Sequence, residues 1–526
     1  MKSFLRAVAG LVCGVLSGYD RLMFRGHLRQ LSYVGGLRCY CHCNGVRYTE
    51  FNKHSQQQTE RLIAASQAEA QRLGRPLEYL PSPKLRKEDY ARKIAARDGI
   101  TDGLIAVFSC VEPCSSFTLR GNGATKKLEF RPEVRKCLHL YHYYQHPVFG
   151  FLYARVQTWF PFTIQIGLNG REWLTRQLDA AGLNYRRHDN CVTWVEDLAR
   201  AQQLLDAQQR VNWPELLNEV RALVHPSHPQ LLGKFRADYY WSLKQSEWAS
   251  DVLFEKAAAL QERYGNWLRF ALTNYKSADV LRFLGRKLSA RGEVPGQYTA
   301  EVLSDLGRRV DGVRLKHRAG DNSIKMYDKA AGRVLRVETT INDPSDFKVY
   351  RTKEGDPEGT QQWRPLRQGV ADLHRRAEVS QAANERYLEG LAAVDHDEPL
   401  KDLTAQLGQR VKEPGKGLRK LRGLNPLTGT DAALLEVVAK PAFALNGLRN
   451  RDVVAGLFGK PAKDAAERRR RSAAVSRQLR LLRAHSILRK VPKTHRYQVT
   501  ERGRLILTAL HAARHASTEK LVGLAA

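Results

Sequence analysis

The stretch from Asp464 to Gly503, DAAERRRRSAAVSRQLRLLRAHSILRKVPKTHRYQVTERG, constrains this chain more than any other part of it. Val475, Leu479 and Leu482 recur at three- and four-residue spacing, so they share one side of a helix and require a core to cover them. Arg470, Arg477 and Arg480 fall on another side, with Arg469 and Arg483 nearby. Ile487 and Leu488 then open two extended segments around a tip of Pro492, Lys493, Thr494 and His495. Thr500 precedes a further helix with a polar start. Twelve Lys or Arg stand here against three Asp or Glu, so the segment offers one strongly cationic surface.

The order helix, helix, basic helix, basic hairpin, helix, beginning near Pro426, is that of a winged helix. A basic helix of this kind fits the major groove, where Arg pairs with guanine edges. The hairpin, with Arg489, Lys490, Lys493, His495 and Arg496, reaches phosphates or the minor groove. The segment LRLLRAHSILRKV and the following HRYQVTERG resemble the winged helix of MarR-like regulators over roughly the last fifth of the chain. The resemblance implies DNA binding, with the helix of Arg477 and Arg480 as reader. Some four hundred residues precede it, which simple repression does not require. Through LSGYDRLMFRG, QTWFPFTIQIGLNGRE and IKMYDKAAGRVLRVETTIN the whole chain resembles a widespread bacterial family, functionally uncharacterised, whose members are sometimes labelled from a MarR-like tail.

With 526 residues the chain can bury several cores, and a formal charge of +32 makes nucleic acid the first partner to consider, ahead of an anionic membrane surface. The opening MKSFLRAVAGLVCGVLSGYD imitates a signal peptide, but glycines interrupt its apolar run and no small-residue cleavage site follows. It reads as a buried strand and turn. No later stretch spans a bilayer, so a cytoplasmic protein without a membrane partner is the default.

Along the chain the expected fold class is α+β and multidomain. Residues 1–215 form a mixed, sheet-containing body, in which HLYHYYQHPVFGFLYARVQTWFPFTIQIGLNG carries β-branched and ring side chains at strand density and closes on a turn at Asn169 and Gly170. Residues 216–395 are a helical middle, helical from about Asp238 to Leu288, with a small antiparallel meander at 310–351 where the period changes to two. Residues 396–425 mix Pro, Gly and basic residues as a linker, and 426–526 hold the winged helix. No fixed-period repeat emerges.

Within the meander, Ser323 to Lys329 pairs with Arg333 to Ile341 around a turn at Ala330 to Gly332. Ile324, Met326, Leu335 and Val337 then share the buried side, and Lys325, Tyr327, Lys329, Arg336 and Glu338 the wet one. A phenol among cations has reason to become nucleophilic, and a carboxylate among them can hold Mg²⁺ or Mn²⁺. The YDK and R-x-E pattern resembles a local pattern in rolling-circle replication initiators, which nick DNA through a tyrosine with a metal. Their His-hydrophobe-His motif is absent here, because His139, His142 and His146 stand at other spacings. Plain cross-strand pairing of these side chains, or a basic sheet face that grips phosphate through Lys325, Lys329 and Arg336 without breaking a bond, outweighs the catalytic reading. Asp20 is a second candidate acid: ribonuclease-H-like nucleases and transposases place a metal-binding Asp on a first strand, so Asp20 with Glu338, and Asp189 or Glu196, would form a two-metal site.

Eight cysteines suit reduced thiols. Cys39, Cys41 and Cys43 of CYCHC would converge on one side of a strand, with Cys110 and Cys114 to complete a set, yet the spacing is wrong for a zinc knuckle, so zinc is disfavoured. Tyr141, Tyr143, Tyr144, Trp159, Phe160 and Phe162 fill a core rather than stack bases.

The combined expectation is a DNA-binding protein of a mobile or replicating element that docks on duplex through its winged helix. A metal-dependent nicking endonuclease, replication initiator or transposase using Tyr327, Glu338 and Asp20 is the alternative. A transcriptional regulator with a large sensing domain is another. RNA is an alternative partner, and a dimer is compatible with the sequence, which sets no oligomeric state.

Overall fold

The computed structural model describes residues 1–286, 302–309, 312–353, 356, 358–392, 400–412, 420–440, 443, 447–492 and 494–517. Lys493 lies outside the described residues. The chain opens with α1 (Lys2–Ala7), β1 (Val12–Leu28), α2 (Val34–Cys43), α3 (Phe51–Arg72), β2 (Leu77–Tyr79) and α4 (Lys87–Arg97). Four strands follow, β3 (Gly103–Asn122), β4 (Lys127–His146), β5 (Gly150–Gln157) and β6 (Ile164–Asn169), leading into α5 (Gly170–Ala180). Next come the hairpin β7 (Tyr185–His188) and β8 (Cys191–Val195), helices α6 (Leu198–Asp206), α7 (Trp213–Val224) and α8 (His228–Leu232), and the long strand β9 (Tyr239–Phe254). After α9 (Ala257–Asn274) and α10 (Ser277–Phe283) run β10 (Leu303–Arg309), β11 (Gly312–Ala319), β12 (Asn322–Lys329) and β13 (Val334–Ile341). The short strands β14 (Lys348–Arg351) and β15 (Gln362–Pro365) precede α11 (Leu373–Leu391) and α12 (Leu400–Thr404); β16 (Val411–Lys412) and β17 (Lys420–Leu421) follow them. The last part is α13 (Gly429–Val438), α14 (Asn450–Phe458), α15 (Ala465–Ala484), β18 (Leu488–Lys490), β19 (Tyr497–Val499) and α16 (Glu501–His515).

The fold is α+β, built on an eleven-stranded sheet in the order β10-β11-β12-β13-β9-β1-β6-β5-β4-β3-β2. One plan occurs twice in it. β1 is followed by helices and by β3 to β6, whose last strand returns beside β1; β9 is followed by α9, α10 and β10 to β13, whose last strand returns beside β9. Two units interleave along the chain. One holds Met1–Val15, Ser250–Thr339 and Val379–Ala526, the other Leu16–Ala249 and Thr340–Glu378, so the division passes inside β1, β9 and β13.

In the unit Leu16–Ala249 with Thr340–Glu378, cross-strand register explains the core. Leu22, Leu168 and Leu152 form one row across β1, β6 and β5; Phe24, Ile166 and Ala154 form the next, and all six are buried. Trp213 of α7 packs on Phe24 at 4.9 Å between ring centroids and stacks on Phe149 at 5.5 Å. The alternate residues of the same strands, Arg21, Met23 and Arg25 of β1 among them, point to the other face. Asn169 is not a hairpin turn but the N-cap of α5, its Oδ1 accepting from the backbone N–H of Arg171 and Glu172. Tyr141, Tyr143, Tyr144, Phe160 and Phe162 are buried, as core aromatics should be.

Two other expectations fail. The N-terminal apolar run opens as helix α1 before its strand, and Tyr239–Phe254 is a strand rather than the start of a helical region. Every residue from Ser246 to Phe254 is buried, and a strand covered on both faces loses the period of two that would reveal it. Among the described residues no helix is long and apolar enough to cross a membrane.

In the other unit, β10 to β13 are one end of the large sheet rather than a free-standing meander. The turn joining β12 to β13 carries Ala330, Ala331 and Gly332 at φ of 54°, 54° and 83°. All eight residues of β13 are buried, so the side expected to be wet is interior. The C-terminal elements share a core that includes Leu434, Val453, Val475, Leu479, Leu482 and Ile506. A bridge from Leu448 to Tyr497 adds to the hairpin β18–β19. Asp464 caps α15 by accepting from the Glu467 N–H, and Thr500 caps α16 by accepting from that of Gly503.

Candidate nucleic-acid interface and metal-binding cluster

Helix α15 presents two sides. Val475, Leu479 and Leu482 are buried, whereas Arg469, Arg470 and Arg477 are exposed and Arg480 and Arg483 are half-buried. Its third side is fixed on α14: the Asn450 side chain donates to the Ser472 carbonyl at 2.8 Å and to Ser476 Oγ at 2.9 Å, and accepts from Ser472 Oγ. Arg471 does not join the exposed guanidiniums, because it donates to Glu467 at 2.7 Å and to the Lys460 carbonyl. On the hairpin, Arg489, Lys490, His495 and Arg496 are exposed, and Arg489 Nε donates to the Gln498 side chain across the strand pair. The cations singled out in this segment, apart from Lys493, therefore occupy one helix and the hairpin that follows it.

Lys325, Lys329 and Arg336 do not form a comparable surface. Arg336 is buried, and its Nε and Nη2 donate to both oxygens of Asp251 at 2.6 and 2.8 Å. A guanidinium enclosed and engaged in this way has no path to a phosphate. Lys325 is buried and donates to Glu338, while Lys329 is half-buried with its ammonium 5.8 Å from the Tyr327 ring.

The structure brings Asp20 and Glu338 together, and adds Glu247. One carboxylate oxygen from each lies within 4.8 Å of the others, and all three residues are buried. They stand on β1, β9 and β13, consecutive strands of the sheet. Asn190 Nδ2 donates to Asp20 at 2.7 Å, and the Asn190 Oδ1 accepts from Asn169, so the hairpin β7–β8 steadies that carboxylate. Arg21 Nε is 3.9 Å from Glu247. This buried acidic triad can bind a divalent metal ion, since three converging carboxylate oxygens suit a hard cation. Lys325 on Glu338 is an internal counter-charge that an ion would compete with. Glu196 and Asp189 are not part of the cluster: Glu196 accepts from the backbone and side-chain amides of Asn184, and Asp189 sits at the β7–β8 turn with φ of 51°. Tyr327, two residues along β12 from Lys325, is half-buried and pairs in register with Arg314.

The thiols are arranged against the expectation. CYCHC lies in α2, where successive residues turn by about 100°, so Cys39, Cys41 and Cys43 do not share a side as they would on a strand. Cys39 and Cys43 are 3.9 Å apart on the outer side, and Cys41 is buried, its thiol pushed up to about 11 by that burial. Cys110 and Cys114 are on β3, with the Cys114 Sγ at 2.8 Å from that of Cys137.

Glu247 and Asp251 are hard to recognise in the sequence because their strand is buried on both faces and shows no period of two. Reading Ser246 to Asp251 at period two would have put Glu247 and Asp251 on one side of a strand. No family model matches this chain, and no curated protein or solved structure matches it at a significant level.

Proposed function

We propose that the protein binds duplex DNA through its C-terminal elements, which form a winged helix with α15 as the groove-reading helix and β18–β19 as the wing. The observation that carries this reading is the exposed row Arg469, Arg470 and Arg477 on the side of α15 away from Val475, Leu479 and Leu482, continued by Arg489, Lys490 and Arg496. Guanidiniums at the surface of a helix supply both phosphate attraction and guanine recognition. A role on a mobile or replicating element accounts for the large body. The test is a gel-shift titration of labelled duplex: Arg470→Glu with Arg477→Glu is expected to weaken binding at least tenfold, and unchanged affinity would remove α15 as the reader.

The carboxylate triad favours a second reading, metal-dependent strand cleavage in which Asp20, Glu247 and Glu338 hold Mg²⁺ or Mn²⁺. Cleavage of supercoiled plasmid in Mn²⁺ that disappears in Glu338→Gln, while duplex binding persists, would support it. Intact plasmid at high protein and metal would leave the protein a binder.

A further inference from the structure

The face of the sheet that carries Arg21 and Arg155 in the unit Leu16–Ala249 holds a cavity of about 480 Å³ beside α4, lined by Arg21, Lys87, Tyr143, Tyr153, Arg155 and Gln165. Register aligns its lining. Arg25, Gln165, Arg155 and Tyr141 form one row across β1, β6, β5 and β4; Met23, Gly167, Tyr153 and Tyr143 form the next. Gly167 is required for the shape, since a Cβ there would fall 2.2 Å from Tyr153 Cε1.

The groups are set for an anion. Glu112 is the single fixed acid beneath them: it accepts from Tyr141 Oη at 2.6 Å and Arg155 Nη2 at 2.8 Å, and Lys87 Nζ lies 3.3 Å away. One carboxylate thus holds two cations, and the cavity lining as a whole has five cationic side chains against two acidic ones. Arg155 Nε is buried and has no hydrogen-bond partner. Tyr153 Oη accepts from Gln165 Nε2 at 2.8 Å, which leaves its own proton to donate. Burial raises the Tyr153 pKa, so the phenol keeps that proton. Beside Tyr153 the floor is apolar: Tyr143 and Phe151, 5.6 Å apart, are buried in the core of this face, and the Arg92 guanidinium covers Phe151 at 4.0 Å.

The Arg155 guanidinium with its unsatisfied Nε–H, a donor phenol and a lysine lining one cavity match a phosphate group. We infer that this cavity binds a nucleotide phosphate, from a free mononucleotide or from a nucleic-acid strand. Only the strand as source rests on the proposed DNA binding; the anion site stands on its own geometry.

The test uses the full chain, with AMP, adenosine and a 5′-phosphorylated single-stranded oligonucleotide as probes in calorimetric titrations. Arg155→Met is expected to weaken AMP or the oligonucleotide at least tenfold, Tyr153→Phe three- to tenfold, and Gly167→Ala comparably, with circular dichroism unchanged for the conservative Tyr153→Phe. Loss of AMP binding in these variants supports the site with a free nucleotide as ligand, and loss of oligonucleotide binding alone supports it with a strand. Adenosine binding as tightly as AMP, no saturable binding of either phosphate probe, or affinities that ignore Arg155→Met and Tyr153→Phe would overturn it. Duplex binding measured in parallel with the Arg470 and Arg477 variants separates failure of this site from failure of the winged-helix reading.

Discussion

Arg336→Met would distinguish a buried structural pair from a phosphate grip. The side chains of Arg336 and Asp251 are 1% and 2% exposed, and two hydrogen bonds join them. Removing the guanidinium breaks both of these charge-assisted hydrogen bonds to a buried carboxylate, which costs about 3–5 kcal/mol. With a denaturant slope of roughly 3 kcal/mol per molar urea, the midpoint falls by about 1–1.7 M. Methionine keeps most of the volume, so the loss comes from Asp251 rather than from a cavity, and Arg336→Met combined with Asp251→Leu should recover most of the midpoint. Urea titration followed by circular dichroism measures this, and duplex affinity of the folded single variant should match the parent. An unchanged midpoint together with weakened DNA binding would refute the assignment of Arg336 to the interior.

Burial lowers His139, His142 and His228 to about 4 and His225 to about 3, the latter with help from the neighbouring charges of His228 and Arg221. The unfolded rings take protons near pH 6.5 and the folded ones do not, so stability is flat above pH 7 and falls by about 2 kcal/mol per ring by pH 5; urea midpoints equal at pH 7 and 5 would contradict this. In Gly170→Ala a Cβ would lie 1.9 Å from the Tyr19 carbonyl oxygen, so a loss of about 1–3 kcal/mol is expected in thermal melts. Diamide treatment should link Cys114 to Cys137, whose sulfurs are 2.8 Å apart, ahead of the exposed Cys39 and Cys43 pair at 3.9 Å; non-reducing peptide mapping reads the order.

Local signals in the sequence carried well where the chain itself supplies the partner. The apolar spacing of Val475, Leu479 and Leu482 found the buried side of α15, and alternation with a Gly-containing turn found the β12–β13 hairpin at Ala330 to Gly332. What covers a strand is decided elsewhere in the chain. Nothing near Arg336 announces Asp251, so a charged face that alternates like a wet one proves to be interior. Asp20 and Glu338 were recognisable one at a time as candidate acids, and their meeting follows from the placing of β9 between β1 and β13, which the both-sided burial of β9 concealed. In α2, Leu37, Tyr40 and Cys41 hold helical spacing, but the unusual density of thiols drew the reading toward a strand.

The central claim is that α15 and its hairpin form the duplex-binding surface. Its most direct test is the dependence of the binding constant on salt, measured by fluorescence anisotropy for the parent and for Arg469→Ala, Arg470→Ala and Arg477→Ala combined. Among the described residues, seven exposed cations on α15 and the hairpin, Arg468, Arg469, Arg470, Arg477, Arg489, Lys490 and Arg496, predict a logarithmic slope of about −6, falling to about −4 in the triple variant with weaker binding throughout. A triple variant with the parent's slope and affinity would contradict it.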